Sequence, residues 1–174
     1  MEVFSPSGAR HVNLTDVFSP VVLAESGLSG LVGSPSVSTA SSVGVAGQVV
    51  TDAVAQPVEE SLSCFVQTLG LCDVAALVAE FRGMWSSVAK SVLVVSHPRL
   101  GRWSLPVRLS GALSTPVADP TEGGEIVIDV PLVGDGGVWL SDTFESHGSN
   151  IVTVTNSGDV PVSPKSYGRG PGVR

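Results

Sequence analysis

The chain has 174 residues and a formal net charge of −7, with 43% of residues hydrophobic and only 14% charged. An acidic chain without a basic run argues against nonspecific nucleic-acid binding, which relies on Lys and Arg to neutralise phosphates. The longest apolar stretch, residues 21–32, is broken by Glu25 and by glycines and serines, so no membrane-spanning helix and no membrane insertion are expected.

The opening Met-Glu-Val-Phe has neither the basic start nor the apolar centre of a signal peptide, so a soluble protein made in the cytoplasm is expected. Cys64 and Cys72 are the only cysteines, too few for a disulfide framework, and two buried or half-buried thiols are the simpler expectation. So few charges favour a subunit of an assembly over a free monomer, because weakly polar surface is left to be covered.

Residues 2–5 read as a short strand, Pro6-Ser7-Gly8 as a turn, and residues 10–14 as a strand alternating polar and apolar. Residues 16–23 carry Pro20, which predicts an edge strand or a bend. Gly27, Gly30 and Gly33 follow at intervals of three. No strand–loop–helix context surrounds them and no Lys occupies the phosphate position, so they do not make a nucleotide-binding loop. Residues 34–47 are rich in Ser, Gly, Ala and Val and fit either a loop or a strand. Residues 58–67 give the clearest strand of the first half. Val58, Glu60, Leu62, Cys64 and Val66 share one face, and Glu59, Ser61, Ser63, Phe65 and Gln67 share the other.

One helix is expected, over residues 73–88. Val74, Leu77, Val78, Phe81, Met84, Trp85 and Val88 form its apolar stripe, and Asp73 is placed to cap its N-terminus. Gly83 weakens its middle by roughly 1 kcal/mol relative to Ala. Behind it, residues 91–95 and 102–109 predict a hairpin around the turn at 97–101. Residues 114–124 are punctuated by Pro and Gly and read as a loop or a crossover at a sheet edge. Residues 125–133 read as a strand with Ile126, Ile128, Val130 and Leu132 on one face. Residues 134–137 are a turn, and Val138-Trp139-Leu140 begins a return strand. The polar run 141–149 marks a boundary between a first domain, residues 1–140, and a short second one, residues 141–174. Strands at 150–156 and 160–163 flank a turn at 157–159. Many short strands with one inserted helix predict a mainly β protein, a β-sandwich carrying one packed helix.

Candidate chemistry is sparse. No Gly-x-Ser-x-Gly elbow occurs, and of the three histidines, His11, His97 and His147, the first two lack partners that the sequence can place. Asp135, Asp142, Glu145 and His147 cluster, but their spacing fits no metal-binding loop, and no zinc spacing of Cys and His exists. No catalytic residue, cofactor or metal ligand is therefore assigned. Of the three tryptophans, Trp85 fits the buried stripe, and Trp139 is the candidate for stacking on a sugar in a carbohydrate-binding module.

Residues 151–164, Ile-Val-Thr-Val-Thr-Asn-Ser-Gly-Asp-Val-Pro-Val-Ser-Pro, resemble the V-x-N-x-G-D-x-P-x-x-P segment that opens the second domain of siphophage distal tail proteins. The order of the upstream segments is similar too: an opening hairpin at Phe4, a Gly-rich crossing near residues 28–33, a long strand, a helix, the His-Pro-Arg-Leu-Gly-Arg-Trp turn at 97–103, and a passage closing at Trp139. The resemblance implies a structural virion protein without an active site. Such a protein forms a ring, expected to be hexameric, at the distal tip of a long non-contractile tail. Its partners would be copies of itself, the tail tube protein, and the tail-tip hub and tape-measure proteins. The first domain would be the ring-forming β-sandwich and the second galectin-like. The chain ends at Arg174, so that second domain is expected to be reduced or absent. The rival expectation is a carbohydrate-binding β-sandwich that recognises host glycans through Trp139. A hydrolase built on the Asp135–His147 cluster ranks below both.

Overall fold

The computed structural model describes residues 1–30, 32–41, 43–44, 46–67, 73–114, 125–142 and 155. The chain divides into two units, Met1–Asp142 and Thr143–Arg174. Apart from residue 155, which is not in a strand, the expected strands at 150–156 and 160–163 lie outside the described residues, as does Cys72.

In chain order the first unit contains β1 (Glu2–Phe4), β2 (His11–Asn13), β3 (Val21–Ser29), β4 (Pro35–Ala40), β5 (Val49–Ala55), β6 (Val58–Gln67), α1 (Val74–Arg82), β7 (Ser91–His97), β8 (Gly101–Leu109), β9 (Glu125–Gly134) and β10 (Leu140–Ser141). Among the described residues it is mainly β with one helix, as the strand periodicity predicts. The main sheet runs β2-β1-β7-β8-β9-β6-β3, with β10 added on β8.

Strand β8 joins the two layers of the sandwich. Its residues 101–107 pair with β7, whereas Arg108 and Leu109 pair with Val133 and Leu132 of β9. We call β2-β1-β7-β8 sheet A and β9-β6-β3 sheet B. Each strand has a side-chain period of two, so one face of each sheet turns inward. Val3, Leu93, Leu105 and Val107 come from A; Val58, Leu62, Cys64, Val66, Ile126, Ile128, Val130 and Leu132 come from B; all are buried in one core. Strand β6 pairs with β9 along its whole length, from Val58 opposite Gly134 to Gln67 opposite Glu125. Its other edge carries β3, which bulges between Leu23 and Leu28, so that both of these leucines reach the core-facing row of β6.

Helix α1 starts as expected. The Asp73 carboxylate accepts a bond from the Ala75 N–H at 2.9 Å, which satisfies one of the unpaired donors of the first turn. The end differs from the expectation of a helix to residue 88. Gly83 is the C-cap, its N–H donating to the Ala79 carbonyl. The chain then tightens: the Met84 N–H donates to the Phe81 carbonyl and the Trp85 N–H to the Arg82 carbonyl. These i→i−3 bonds keep Met84 and Trp85 buried without a further turn of α-helix. The Ser86 hydroxyl then accepts from the N–H groups of Val88 and Ala89, and this turn sends Val88 outward, to 86% exposure. The Ser91 hydroxyl donates to the Met84 carbonyl and ties this segment to β7.

Residues 34–47, open between loop and strand in the sequence, contribute β4. With β5 it forms a separate two-stranded sheet that runs from Pro35 opposite Ala55 to Ala40 opposite Val49, with a bulge between Ser38 and Thr39. Every residue of both strands is exposed.

The placement of Val88 outside the core gives a direct check. Phe81→Ala should destabilise by about 3–5 kcal/mol, as expected for an emptied aromatic site. Val88→Ala should stay within about 0.5 kcal/mol of wild type, as for an ordinary surface change. Denaturant unfolding of the two variants reads both values.

Candidate functional site

The side chains singled out from the sequence do not converge. Asp135, in the turn after β9, accepts two bonds from Arg108 Nε at 3.1 Å and one from Arg108 Nη2 at 2.9 Å. Lys90 Nζ lies 3.3 Å away. The Arg108 hydrogen bonds, supported by Lys90, hold the Asp135 carboxyl below the usual carboxylate range. Asp135 thus serves as a surface clamp between the β9 turn, β8 and the segment before β7. Asp142 is exposed, and Glu145 and His147 lie outside the described residues. Among the described residues no group of three His, Cys, Asp or Glu side chains is placed to hold a metal ion.

The two described histidines do local work. His97 closes β7, and its Nδ1 accepts from the N–H groups of Arg99 and Leu100 at 3.2 and 3.3 Å, which braces the β7–β8 turn. Trp103 braces the same turn from the other side, its Nε1–H donating to the Leu100 carbonyl at 2.9 Å. His11 stacks on Phe4 with ring centroids 5.6 Å apart, and Arg102 lies over the Phe4 ring at 5.9 Å. Trp139 precedes β10 rather than lying within a strand, and its half-buried indole packs against the core. Trp85 meets Phe81 edge to face in the interior. The Cys64 thiol is free and buried. Burial, and secondarily the charge of Asp129, push it up to about 12, so it is unreactive at neutral pH.

The three glycines before residue 34 have a packing role. A Cβ on Gly27 would meet the Ser63 carbonyl at 2.5 Å, and one on Gly30 the Glu59 carbonyl at 2.0 Å; Gly30 also has a φ of +81°. A Cβ on Gly33 would meet the Gly137 carbonyl at 2.8 Å. The spacing lets β3 and its exit lie hard against β6 and the β9 turn.

Two features emerge that the sequence did not single out. The first is Glu60. It occupies the core-facing row of β6 between Val58 and Leu62, is 5% exposed, and neither carboxylate oxygen has a hydrogen-bond partner among the described residues. Burial pushes its carboxyl up from 4.5 to about 7. The alternation of β6 already carried this signal, because a charged residue stood in phase with the apolar ones.

The second is on the opposite face of sheet B. Val22, Phe65 and Val127 are direct register partners across β3, β6 and β9. Phe65 and Val127 are 36% and 48% exposed, and Phe18, in the turn before β3, is 81% exposed. A shallow depression of ≈ 370 Å³ is lined by Val17, Val22, Phe65 and Gln67. Phe65, the lone apolar residue on the polar face of β6, was the available clue.

No family model matches the chain, and no curated protein matches it. Among the described residues, no helix is long and apolar enough to cross a membrane.

Glu60 sets a pH dependence. Below about pH 4.5 its carboxyl is protonated in both folded and unfolded chains. As pH rises to about 7 the unfolded chain loses that proton first, so stability falls across this window. The loss amounts to about 3 kcal/mol, since each pH unit between the unfolded and folded pKa values is worth about 1.4 kcal/mol. Glu60→Gln should remove it, and the difference between variant and wild-type stability should grow by that amount from pH 4.5 to 7.5 in urea titrations. A constant difference would show that Glu60 is not held in the core.

Proposed function

We propose that the chain is a structural subunit that works by assembling with copies of itself. The assembly is a ring at the distal end of a long non-contractile phage tail, where it joins the tail tube to the tip hub and the host-binding apparatus. The observation that carries self-assembly is the β4–β5 arm. Its strands are exposed on both faces, include the exposed Val37, Val49, Val50 and Val54, and carry Asp52 as their one charged residue. A lone two-stranded hairpin is marginal in water and needs a surface to lie on. The identity of the assembly as a tail ring rests on the resemblance of residues 151–164 and of the segment order to distal tail proteins. Among the described residues the polar clusters are spent on turns and clamps, which accords with a scaffold. The carbohydrate-binding alternative gains nothing from Trp139, whose ring is partly taken up by core packing.

The arm can be removed without touching its base, because Pro35 and Ala55 are opposite one another. A variant with residues 36–54 replaced by a two-residue turn should fold with a thermal midpoint within a few degrees of wild type and should run as a monomer. Wild type should run as a closed oligomer. Sedimentation velocity distinguishes these species. Wild-type monomers at every concentration would reject the ring, and an arm-deleted oligomer would remove the arm from the assembly.

A further inference from the structure

The two outer faces of the sandwich differ in charge. Strands β3, β6 and β9 contain no Lys or Arg, and apart from the buried Glu60 their described acidic residues are Glu25, Glu59 and Asp129. Register puts Glu59 and Asp129 on the outer side of sheet B, in the same phase as Phe65 and Val127, and both are exposed. Asp129 accepts the Ser63 hydroxyl there. Sheet A is the reverse. Arg102 on β8 and Arg99 in the turn before it are exposed, alongside His97 and His11; Glu2 is the one acidic residue of its four strands, and the exposed Asp142 follows β10 at the edge of β8. The other basic groups nearby are engaged: Lys90 and Arg108 with Asp135, and Arg10 with Glu80. Arg99 and Arg102 have no acidic partner among the described residues.

Each of these surfaces also carries exposed apolar side chains. On B they belong to the Val22–Phe65–Val127 row, roughly 10 Å across at the usual spacing between strands. On A the side chain is Leu100, 69% exposed at the tip of the β7–β8 turn, with Phe4 beneath Arg102. A basic rim with an apolar tip thus stands on one outer side, and an acidic rim with an apolar row on the other.

Building on the self-assembling ring proposed above, we infer that the outer face of sheet A in one copy docks on the outer face of sheet B in the next. Arg99 and Arg102 meet the Glu59–Asp129 rim, and Leu100 covers the Phe65 row. The occupant is a second copy because the complementary charge is carried by the chain itself. Two copies of an acidic face would repel each other, as would two of a basic face. The contact is therefore heterologous: every copy offers both faces, and repetition closes a ring or continues as a filament. The charged rim makes it weaker as salt rises, because exposed charges are screened beyond a Debye length of about 8 Å at physiological ionic strength.

Two variants test this inference. Arg99→Glu combined with Arg102→Glu blocks face A, and Phe65→Glu blocks face B. Circular dichroism melts establish that each is folded. Each alone should have the mass of a monomer in light scattering, because the β4–β5 arm reinforces the contact between the faces and neither holds copies together without the other. Mixed in equal amounts they should give a species of twice the monomer mass and nothing larger, because one intact A face meets one intact B face and neither copy can extend further. If either folded variant keeps the wild-type oligomer, the assignment of faces falls while the ring stands. If the mixture of folded variants stays monomeric, the pairing of A with B is wrong. If wild type itself is monomeric, the ring and this contact fall together.

Discussion

The fold depends on the pairing of β6. It lies between β3 and β9, hydrogen-bonded to both, and its alternate residues Val58, Leu62, Cys64 and Val66 form the middle of the core. Because the side-chain period of a strand is two, a slip of one residue in this register would turn that row to solvent and bring Ser61, Ser63 and Phe65 inward. The close approach of Gly27 and Gly30 to β6 carbonyls fixes one edge. The uninterrupted ladder with β9 fixes the other. Strand β8, shared between the two sheets, then places sheet A across the same core, and α1 adds Val74, Val78 and Phe81 to it.

Against that strong pairing, Glu60 is a local cost. An ionised carboxylate without partners is unfavourable in an apolar interior, and a burial-raised pKa lets the group escape by taking up a proton. The rest of the inventory of polar groups is spent on local order. Asp135 ties β8 to its neighbours, His97 and Trp103 brace one turn, and Ser86 and Ser91 steer the chain from helix to strand. Among the described residues, chemistry-bearing side chains are thereby dispersed rather than gathered.

Much of the fold was legible because it follows from alternation. The inward rows of β6 and β9, the β7–β8 hairpin and the Asp73 cap are all visible in residues 58–67, 125–133, 91–109 and 73. The helix end was not, since Met84 and Trp85 continue the apolar stripe through tight turns that bury them as well as a helix would. The β4–β5 arm was ambiguous because a strand with neither face buried has no reason to alternate. Trp139 was expected in a strand and lies just before one. The outer row of sheet B could not be read from any one segment, because Val22, Phe65 and Val127 become neighbours only once three strands are in register. The charge difference between the faces has the same origin, being a property of strand order rather than of any stretch of sequence.

The central claim is that this chain exists to close on copies of itself. Negative-stain imaging of the purified full chain at low salt tests it most directly. Closed rings of uniform diameter with a central hole are the predicted result. A field of single particles of monomer size, in a sample whose light scattering also gives the monomer mass, would contradict it.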